Sequence, residues 1–303
     1  MREVVPRALA DQRLDRIVAT IAGCSRAEAA ALVDNGAVTV EGRVATARSR
    51  RLAEGDVVAI EQPAPRHEDP LAPDAGVDVP VTFADADLLV VDKPAGLVVH
   101  PGAGQRSGTL VHGLLARYPE IREVGQPDRP GIIHRLDKGT SGLLLVARSP
   151  AAYEALVSAL AARAVGRRYR ALVWGAVESP AGLVEAPIGR SARDRTRMTV
   201  TVAGREARTR YEVVRRFGDP VTVSELRCTL ETGRTHQIRV HLASIGHPLV
   251  GDARYGGRRP SLPVPRTWLH AEHLALDHPI TGEPLAFDSP LPDDLTAVLA
   301  GLR

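Results

Sequence analysis

Lysine, cysteine and long apolar runs are scarce in this sequence of 303 residues. No apolar run reaches the roughly 18 residues that a membrane-spanning helix needs, and residues 1–6 lack the apolar core of a secretion signal. The sequence therefore predicts a cytoplasmic protein that does not enter a membrane. Cys24 and Cys228 lie far apart and outside any metal-ligand spacing, so we interpret both as small buried hydrophobic residues rather than as a disulfide.

Because only Lys93 and Lys138 are lysines, arginine carries nearly all of the positive charge. Arginine is always charged, and its planar fork binds phosphate oxygens in pairs. Arginines are dense in residues 163–170 and 190–210, although the formal net charge of the whole chain is only +3. Such local patches indicate an anionic polymer as partner. A coding sequence rich in G and C, or a solvated surface, would explain the same arginines without a binding role.

Residues 1–62 are predicted to form a small α/β module. Apolar residues at helical spacing predict a helix that begins near Leu14 and ends at Gly23. A capping box of Ser25 and Glu28 begins a second helix. Short strands are predicted at residues 38–40, 44 and 57–60.

The rest of the chain is predicted to form a proline-rich linker, residues 63–80, and a second domain, residues 81–303. The second domain alternates apolar runs with helical patterns. Helices are predicted over residues 150–164 and after Thr235, which can cap the second of them. Strands are predicted at residues 88–91, 143–146, 169–174, 209–214 and 221–230. The expected fold is α+β, with a mixed, largely antiparallel sheet flanked by helices and loops.

The segment GIIHRLDKGTSG, residues 131–142, crowds charged groups immediately before a buried strand. Unpaired buried charge is costly, so these groups need either partners or a chemical purpose. The residues alone leave two interpretations of Asp137 equally open. In the first, its carboxylate accepts backbone hydrogen bonds in a structural turn, and in the second it is a reactive carboxylate.

Several other chemistries do not fit the sequence. Residues 139–142 lack the spacing of a nucleophile elbow, and Lys138 does not follow a phosphate-loop pattern. His236, His241 and His247 lack a standard metal-site spacing, and no cysteine helps to complete such a site. We therefore predict no metal site and interpret these histidines as core or RNA-facing residues.

Four segments resemble the motifs of the RluA/RluD group of pseudouridine synthases. HRLDKGTSG at 134–142 resembles the signature of that group, and the other three are VDKPAGLVVHPG at 91–102, RYRALV at 168–173 and GRTHQIRVHL at 233–242. The first domain resembles the RNA-binding module named after a small-subunit ribosomal protein, in QRLD at 12–15, SRAEA at 25–29, NGAVTVEG at 35–42 and LAEGD at 52–56. The resemblance implies that the protein isomerises uridine to pseudouridine in structured RNA without a cofactor.

The resemblance also assigns roles to residues. Asp137 would be the essential carboxylate, which either attacks the sugar or removes its 2′ proton. Arg239 would pair with Asp137 and keep it ionised. Tyr169 would lie against the uracil ring and could remove the proton from carbon 5, and Ile238 would form an apolar wall beneath the base.

The remaining expected contacts are with RNA. Arg135 would help to extract the target nucleotide from its helix, because an atom inside a base stack is otherwise out of reach. His134, His236 and Gln237 would shape the pocket, and the module residues expected to face phosphates are Arg13, Arg26 and Arg43.

The expected substrate is large-subunit ribosomal RNA, and the expected state is a monomer. Two alternatives stay open at this point. One is an RNA-binding ribosome-assembly protein with a vestigial catalytic fold, and the other is a transfer-RNA pseudouridine synthase of the same fold. Nothing in the sequence identifies the uridines that would be modified.

Overall fold

The computed structural model describes residues 1–61, 69–102 and 104–303. Within these residues the chain forms two compact units, Met1–Asp69 and Pro70–Arg303. Residues 63–68 of the predicted linker lie outside the described part of the chain. Residues 70–80, also predicted as linker, belong to the second unit. Leu71 and Val79 are buried in the core of that unit. None of the helices in the described ranges has both the length and the apolar character that crossing a bilayer requires.

The first unit packs two helices against a small antiparallel sheet. Its elements are β1 Arg2–Val4, a 3₁₀ turn Arg7–Leu9, α1 Leu14–Ala22, α2 Arg26–Asp34, β2 Val38–Val40, β3 Arg43–Val44 and β4 Val57–Ile60. The sheet order is β1-β4-β2-β3. The apolar faces of both helices and alternate residues of β2 and β4 form one core, which includes Leu14, Ile17, Val33, Val38 and Val58.

The local predictions for this unit are confirmed in detail. The helix α1 ends at Gly23, whose φ of +63° is accessible to glycine without strain. The predicted capping box begins α2, because the Ser25 Oγ accepts from the Glu28 N–H at 3.3 Å and Glu28 Oε2 accepts from the Ser25 N–H at 2.8 Å. The sequence did not predict β1, since its three residues are exposed and show no apolar alternation.

The second unit contains most of the strands and four helices. The strands are β5 Val81–Ala84, β6 Leu88–Lys93, β7 Gly125–Gln126, β8 Arg129–Pro130, β9 Ser141–Ala147, β10 Gly166–Trp174, β11 Ala181–Glu185, β12 Ile188–Arg190, β13 Met198–Val200, β14 Arg208–Phe217, β15 Val223–Leu230, β16 Leu269–Asp277 and β17 Pro284–Asp288. The helices are α3 Leu110–Arg117, α4 Pro150–Ala161, α5 Gln237–Ser244 and α6 Asp293–Ala300, with a 3₁₀ turn at Pro119–Glu123.

A nine-stranded sheet forms the body of this unit. Its order is β11-β14-β15-β10-β16-β9-β6-β5, and β17 also pairs with β16. Only the β9–β16 pair is parallel among the described strands; β10, for example, is antiparallel to both β15 and β16. The predicted mixed, largely antiparallel sheet of an α+β fold is therefore confirmed.

Alternate residues of the central strands enter different cores, as the two-residue period of a strand requires. On β6, Leu89 and Val91 face the larger core, whereas Leu88 and Val90 face the core that contains α4. On β10, Tyr169 faces the larger core, which also holds residues of α3 and α5. The sheet thus presents one face of β10 toward α5.

Two sequence predictions differ from the structure. Thr235 does not cap α5; the N-cap is His236, in a left-handed conformation with φ of +58° and with no side-chain cap. Because His236 takes this conformation, Thr235 lies one residue outside the helix. Of the two cysteines, both free, Cys228 is buried as predicted, whereas Cys24 is only partly buried against the first core.

Candidate active site

Asp137 lies in the loop between β8 and β9, and local contacts hold this loop in place. Leu136 is buried in the larger core. The Asp137 carbonyl accepts from the Thr140 N–H at 3.0 Å, and the Lys138 carbonyl accepts from the Gly96 N–H at 2.7 Å. The backbone of the loop is therefore fixed, while the Asp137 side chain keeps 20% of its surface exposed.

Arg239, on α5, joins two carboxylates. Its Nη1 donates to Asp137 Oδ2 at 2.8 Å, while its Nε and Nη2 donate to the two oxygens of Asp252 at 2.7 and 3.0 Å. Asp252 is fully buried and also accepts the backbone N–H groups of Arg254 and Tyr255 at 2.9 and 3.2 Å. A two-point contact fixes the plane of the guanidinium group, so Nη1 is directed at Asp137.

Both partners of this two-point contact stay charged. Burial would lower the pKa of Arg239, but the hydrogen bond to Asp252 and the charge of Asp137 outweigh burial, so this pKa is raised. Burial would raise the pKa of Asp252, but the hydrogen bond and charge of Arg239 hold it below its ordinary value. A charged guanidinium group therefore lies 2.8 Å from the Asp137 carboxylate.

The other oxygen of Asp137 faces His236. The Tyr255 hydroxyl oxygen accepts the Met198 N–H at 3.1 Å, so its proton is available to His236 Nδ1 at 2.8 Å. Burial lowers the pKa of His236, and Arg239 adds to this effect against the opposing charge of Asp137. A neutral ring that accepts at Nδ1 carries its proton on Nε2, and Nε2 lies 3.8 Å from Asp137 Oδ1.

Tyr169 lies on β10, between Cys228 of β15 and Ala271 of β16. Its side chain is 5% exposed. Burial raises the pKa of Tyr169, an effect that Arg167 opposes and that the charge of Asp137 increases. The hydroxyl is therefore protonated at neutral pH.

These groups meet at a pocket of about 50 Å³ that Asp137 and Tyr169 both line. The other predicted site residues in its wall are Arg135, His236, Gln237, Ile238 and Arg239. A larger groove of about 630 Å³ adjoins the pocket and shares Asp137 and Tyr169 with it. The groove is rich in arginine, with Arg129, Arg135, Arg163, Arg167, Arg205 and Arg234 in its wall.

Three predicted pocket residues have distinct surroundings. Gln237 uses all of its polar capacity within the protein: its amide donates to Arg208 O and Thr209 Oγ1, and its carbonyl oxygen accepts from Thr232 and Arg234. It therefore supports the pocket wall rather than offering a free donor. His134 lines the groove and not the pocket, and Arg135 is exposed, with Nη1 3.4 Å from His100 Nε2.

In the first unit, two of the three arginines expected to face phosphates have a protein partner. Arg13 and Arg26 both contact the buried Asp15 carboxylate, at 2.9 and 3.2 Å. Their side chains remain 41% and 59% exposed. Arg43 is exposed on β3. A phosphate could thus contact all three, and their role stays a prediction.

Sequence reasoning did not single out Asp252, Tyr255 or Lys93. Asp252 lies two residues after the buried Val250, and a charged residue beside an apolar run is the kind of signal that drew attention to Asp137. Lys93 is fully buried, and its Nζ donates to the carbonyls of Pro94 and Leu97 at 2.8 and 2.9 Å. Burial lowers the pKa of Lys93 to about 7, with the charge of Asp137 opposing that change.

One cluster of three potential metal ligands occurs among the described residues, namely Asp85, Asp87 and His278. His278 Nδ1 accepts two backbone N–H groups, so its proton lies on Nε2, which donates to Asp85 at 2.9 Å. Asp87 accepts from the Ser149 hydroxyl at 2.7 Å. These contacts make the cluster a structural tie between loops, and none of its members lines the pocket or the groove.

Comparisons with known proteins agree with this arrangement. Residues 87–244 match the family model described as RNA pseudouridylate synthase, and residues 12–58 match the S4 domain. The chain is 43% identical to an uncharacterized RNA pseudouridine synthase of Bacillus subtilis, over 96% of this chain and 94% of that protein. It is also 43% identical to the ribosomal large subunit pseudouridine synthase D of Pseudomonas aeruginosa, over 99% and 94% of the two chains.

A solved structure, human RNA pseudouridylate synthase domain containing 1, superposes with a TM-score of 0.59 at 28% identity. It covers 75% of this chain and 89% of its own. The family match covers more than half of this chain, and its residues include the loop of Asp137, the strand of Tyr169 and the helix of Arg239. The chain therefore belongs to the RNA pseudouridine synthases of the RluD type, with an S4 domain at its N-terminus.

Proposed function

We propose that this protein isomerises specific uridines of large-subunit ribosomal RNA to pseudouridine, with Asp137 as the essential carboxylate and without a cofactor. The observation that carries the proposal is a pair of ion pairs: Arg239 contacts Asp137 at 2.8 Å and Asp252 at 2.7 Å. Asp137 and Arg239 line a pocket whose wall includes Tyr169. The cytoplasmic location and monomeric state expected from the sequence belong to the same proposal.

The proposed reaction needs a carboxylate and no redox partner. The bond from ribose carbon 1′ to uracil N1 breaks, the base turns, and a bond from carbon 1′ to carbon 5 forms. The proton on carbon 5 leaves and N1 gains one, so substrate and product have the same composition. Asp137 either attacks carbon 1′ or takes the 2′ proton, and the Arg239 guanidinium group donates to its carboxylate at 2.8 Å.

We assign Tyr169 as the surface on which the uracil ring rests. Its ring is held on a central strand, and Ile238 adds an apolar wall to the same pocket. Because the hydroxyl is protonated at neutral pH, removal of the carbon 5 proton by Tyr169 requires its own proton to leave in that step. Arg135, exposed at the rim, is suited to take the place of an extracted nucleotide.

The choice of ribosomal RNA rests on analogy with relatives, one of which is named for the large ribosomal subunit. A transfer-RNA substrate would use the same pocket. A ribosome-assembly protein with a vestigial fold would not need the ion pairs that join Asp137, Arg239 and Asp252. The presence of these ion pairs supports an active enzyme, because Asp252 is fully buried and removing a charge from water is costly.

The test is to incubate the purified protein with unmodified ribosomal and transfer RNA and to map pseudouridine by carbodiimide-stop primer extension. We expect new stops in large-subunit RNA with the wild type and none with Asp137→Asn, while the RNA affinity of the variant stays close to that of the wild type because phosphate contacts dominate binding. Asp288→Asn, at a carboxylate that is 74% exposed, is the matched control and should retain activity. Stops confined to transfer RNA would overturn the ribosomal assignment, and activity in Asp137→Asn would overturn the role of the carboxylate.

A further inference from the structure

Arg167 is a buried cation that the proposed chemistry does not use. The residue is 6% exposed, and its buried side-chain Nε has no hydrogen-bond partner among the described residues. Its neighbours on β10 differ, because Arg168 contacts Glu272 at 3.0 Å and Arg170 contacts Glu225. Those two arginines lie on the opposite face of the strand, since side chains alternate along it.

His134 presents a second buried donor without a partner. Its Nε2 accepts the backbone N–H of Leu145 at 3.1 Å. Burial lowers the pKa of His134 to about 3, and the charge of Arg167 contributes to this shift, so the ring is neutral. A neutral ring that accepts at Nε2 carries its proton on Nδ1, and this buried N–H has no hydrogen-bond partner among the residues that the structure describes.

Both donors line the groove beside the Asp137 pocket, and neither lines the pocket itself. A Cβ atom at Gly233, in the wall of the same groove, would lie 2.8 Å from Arg167 Nη1. Glycine at that position therefore leaves space for the guanidinium group at the groove wall.

The acidic residues of the groove are already engaged by other arginines. Glu206 contacts Arg163 at 2.7 Å, and Glu231 contacts Arg210 at 2.6 Å. Asp137 is paired with Arg239. None of these carboxylates contacts Arg167. An unpaired buried cation is unfavourable, so an anionic ligand would supply the missing partner.

We propose that Arg167 and the Nδ1–H of His134 form an anion site that binds a phosphate oxygen of the RNA backbone next to the target nucleotide. Arg167 precedes Tyr169 by two residues on the same face of β10, about 7 Å along the strand. A uracil ring on Tyr169 thus leaves its own or an adjacent phosphate beside Arg167. This inference rests on the proposed function, because it takes RNA as the occupant of the groove.

The test uses the full chain and the shortest ribosomal RNA stem-loop that the wild type binds. Single neutral methylphosphonate linkages are placed in turn on each side of each loop uridine, and Kd is measured for wild type and for Arg167→Gln. At one linkage we expect the wild type to lose about tenfold in affinity, the usual size of a charge-assisted hydrogen bond. Arg167→Gln should lose about tenfold on the unmodified RNA and nothing further at that linkage.

Arg168→Gln is the matched control, because it removes the same charge from the opposite face of the strand and should keep the wild-type sensitivity to the linkage. Arg167→Gln should also unfold at the same or a higher denaturant concentration, since it removes a buried charge. If Arg167 instead stabilised the fold, Arg167→Gln would unfold at a lower denaturant concentration than the wild type. Equal affinity of the wild type for every linkage, or a linkage effect that persists undiminished in Arg167→Gln, would overturn the anion site. If Arg167→Gln removes the linkage effect but the wild type forms no pseudouridine, the anion site stands and the proposed function is overturned.

Discussion

Arg239 shows how one residue of the site depends on another, Asp252, that lines neither the pocket nor the groove. Its contact with Asp137 uses a single nitrogen, whereas Asp252 holds the other edge of the guanidinium group at two points. Asp252 therefore positions Arg239, and through it the charge beside Asp137. The family motif that identifies Arg239 does not contain Asp252, which lies 13 residues further along the chain.

Replacing Asp252 with asparagine should lower kcat by about tenfold to a hundredfold with little change in KM, because the uncharged amide no longer fixes the plane of the guanidinium group. Single-turnover kinetics on the mapped stem-loop measure this effect. Asp294→Asn, which removes a surface carboxylate paired with Arg266, is the control and should retain kcat. A change in KM alone would show that Asp252 acts on binding instead.

Lys93 should make stability depend on pH. Burial lowers its pKa from 10.5 to about 7 in the folded protein, so the unfolded chain binds one more proton between these two values. The free energy of unfolding should therefore rise with pH from about 7 to 10.5, by at most about 1.4 kcal/mol per pH unit. Below about pH 7 the lysine is charged in both states, and this contribution to the slope disappears.

Denaturant unfolding at pH 7.5 and pH 9.5 tests this expectation. The wild type should gain stability relative to Lys93→Met as the pH rises. The only other lysine, Lys138, is exposed, so Lys138→Met should follow the wild type at both pH values. A constant difference between wild type and Lys93→Met would mean that Lys93 keeps an ordinary pKa.

At the scale of elements, the loop that carries Asp137 and the sheet meet where β9 begins. Gly142 has φ of +108° and pairs with Ala271 in the one parallel contact of the described sheet. A Cβ atom at this position would lie 2.7 Å from the Ala271 backbone nitrogen and closer still to its carbonyl oxygen. The loop that carries Asp137 can therefore join β9 beside β16 only through glycine.

Gly142→Ala should lower the free energy of unfolding by at least about 2 kcal/mol, because it adds backbone strain to a contact with main-chain atoms that cannot move freely. Gly139→Ala is a matched control in the same loop, since nothing lies within 4 Å of a Cβ atom there and its φ is not positive. Denaturant unfolding of both variants measures the difference. Equal stability of the two variants would show that β9 and β16 can move apart to accept the added methyl group.

At the scale of the whole molecule, the two units have separate cores. Every residue that lines the pocket and the groove belongs to the second unit. The first unit carries the S4 match and the exposed arginines expected to face phosphates. The proposed active site and the S4 match thus lie in different units of the chain.

Deleting residues 1–62 should weaken RNA binding and reduce its salt dependence, because the arginines of the first unit no longer contribute phosphate contacts. The value of kcat on a minimal stem-loop should change little. Kd at two salt concentrations and kcat at saturating RNA measure the two effects. The point variant Arg43→Gln should show a smaller loss of the same kind, and loss of kcat in the deletion would place part of the active site in the first unit.

The sequence by itself determined the features that depend on local order. The period of apolar residues predicted α1, α2, α4 and most central strands, and the capping box of Ser25 and Glu28 has the predicted geometry. The family motifs selected Asp137, Tyr169 and Arg239, which the structure brings to one pocket. Each of these signals consists of residues only a few positions apart in the sequence, so it can be read without the fold.

Only the tertiary structure decided which partners those residues have. Asp137 and Arg239 are 102 residues apart, and the positions of Asp252 and Tyr255 beside them follow from the packing of α5. The unpartnered state of Arg167 likewise depends on which carboxylates other arginines already occupy. Burial and pairing of charges are properties of the folded chain, because desolvation and distance are set by residues that are remote in sequence.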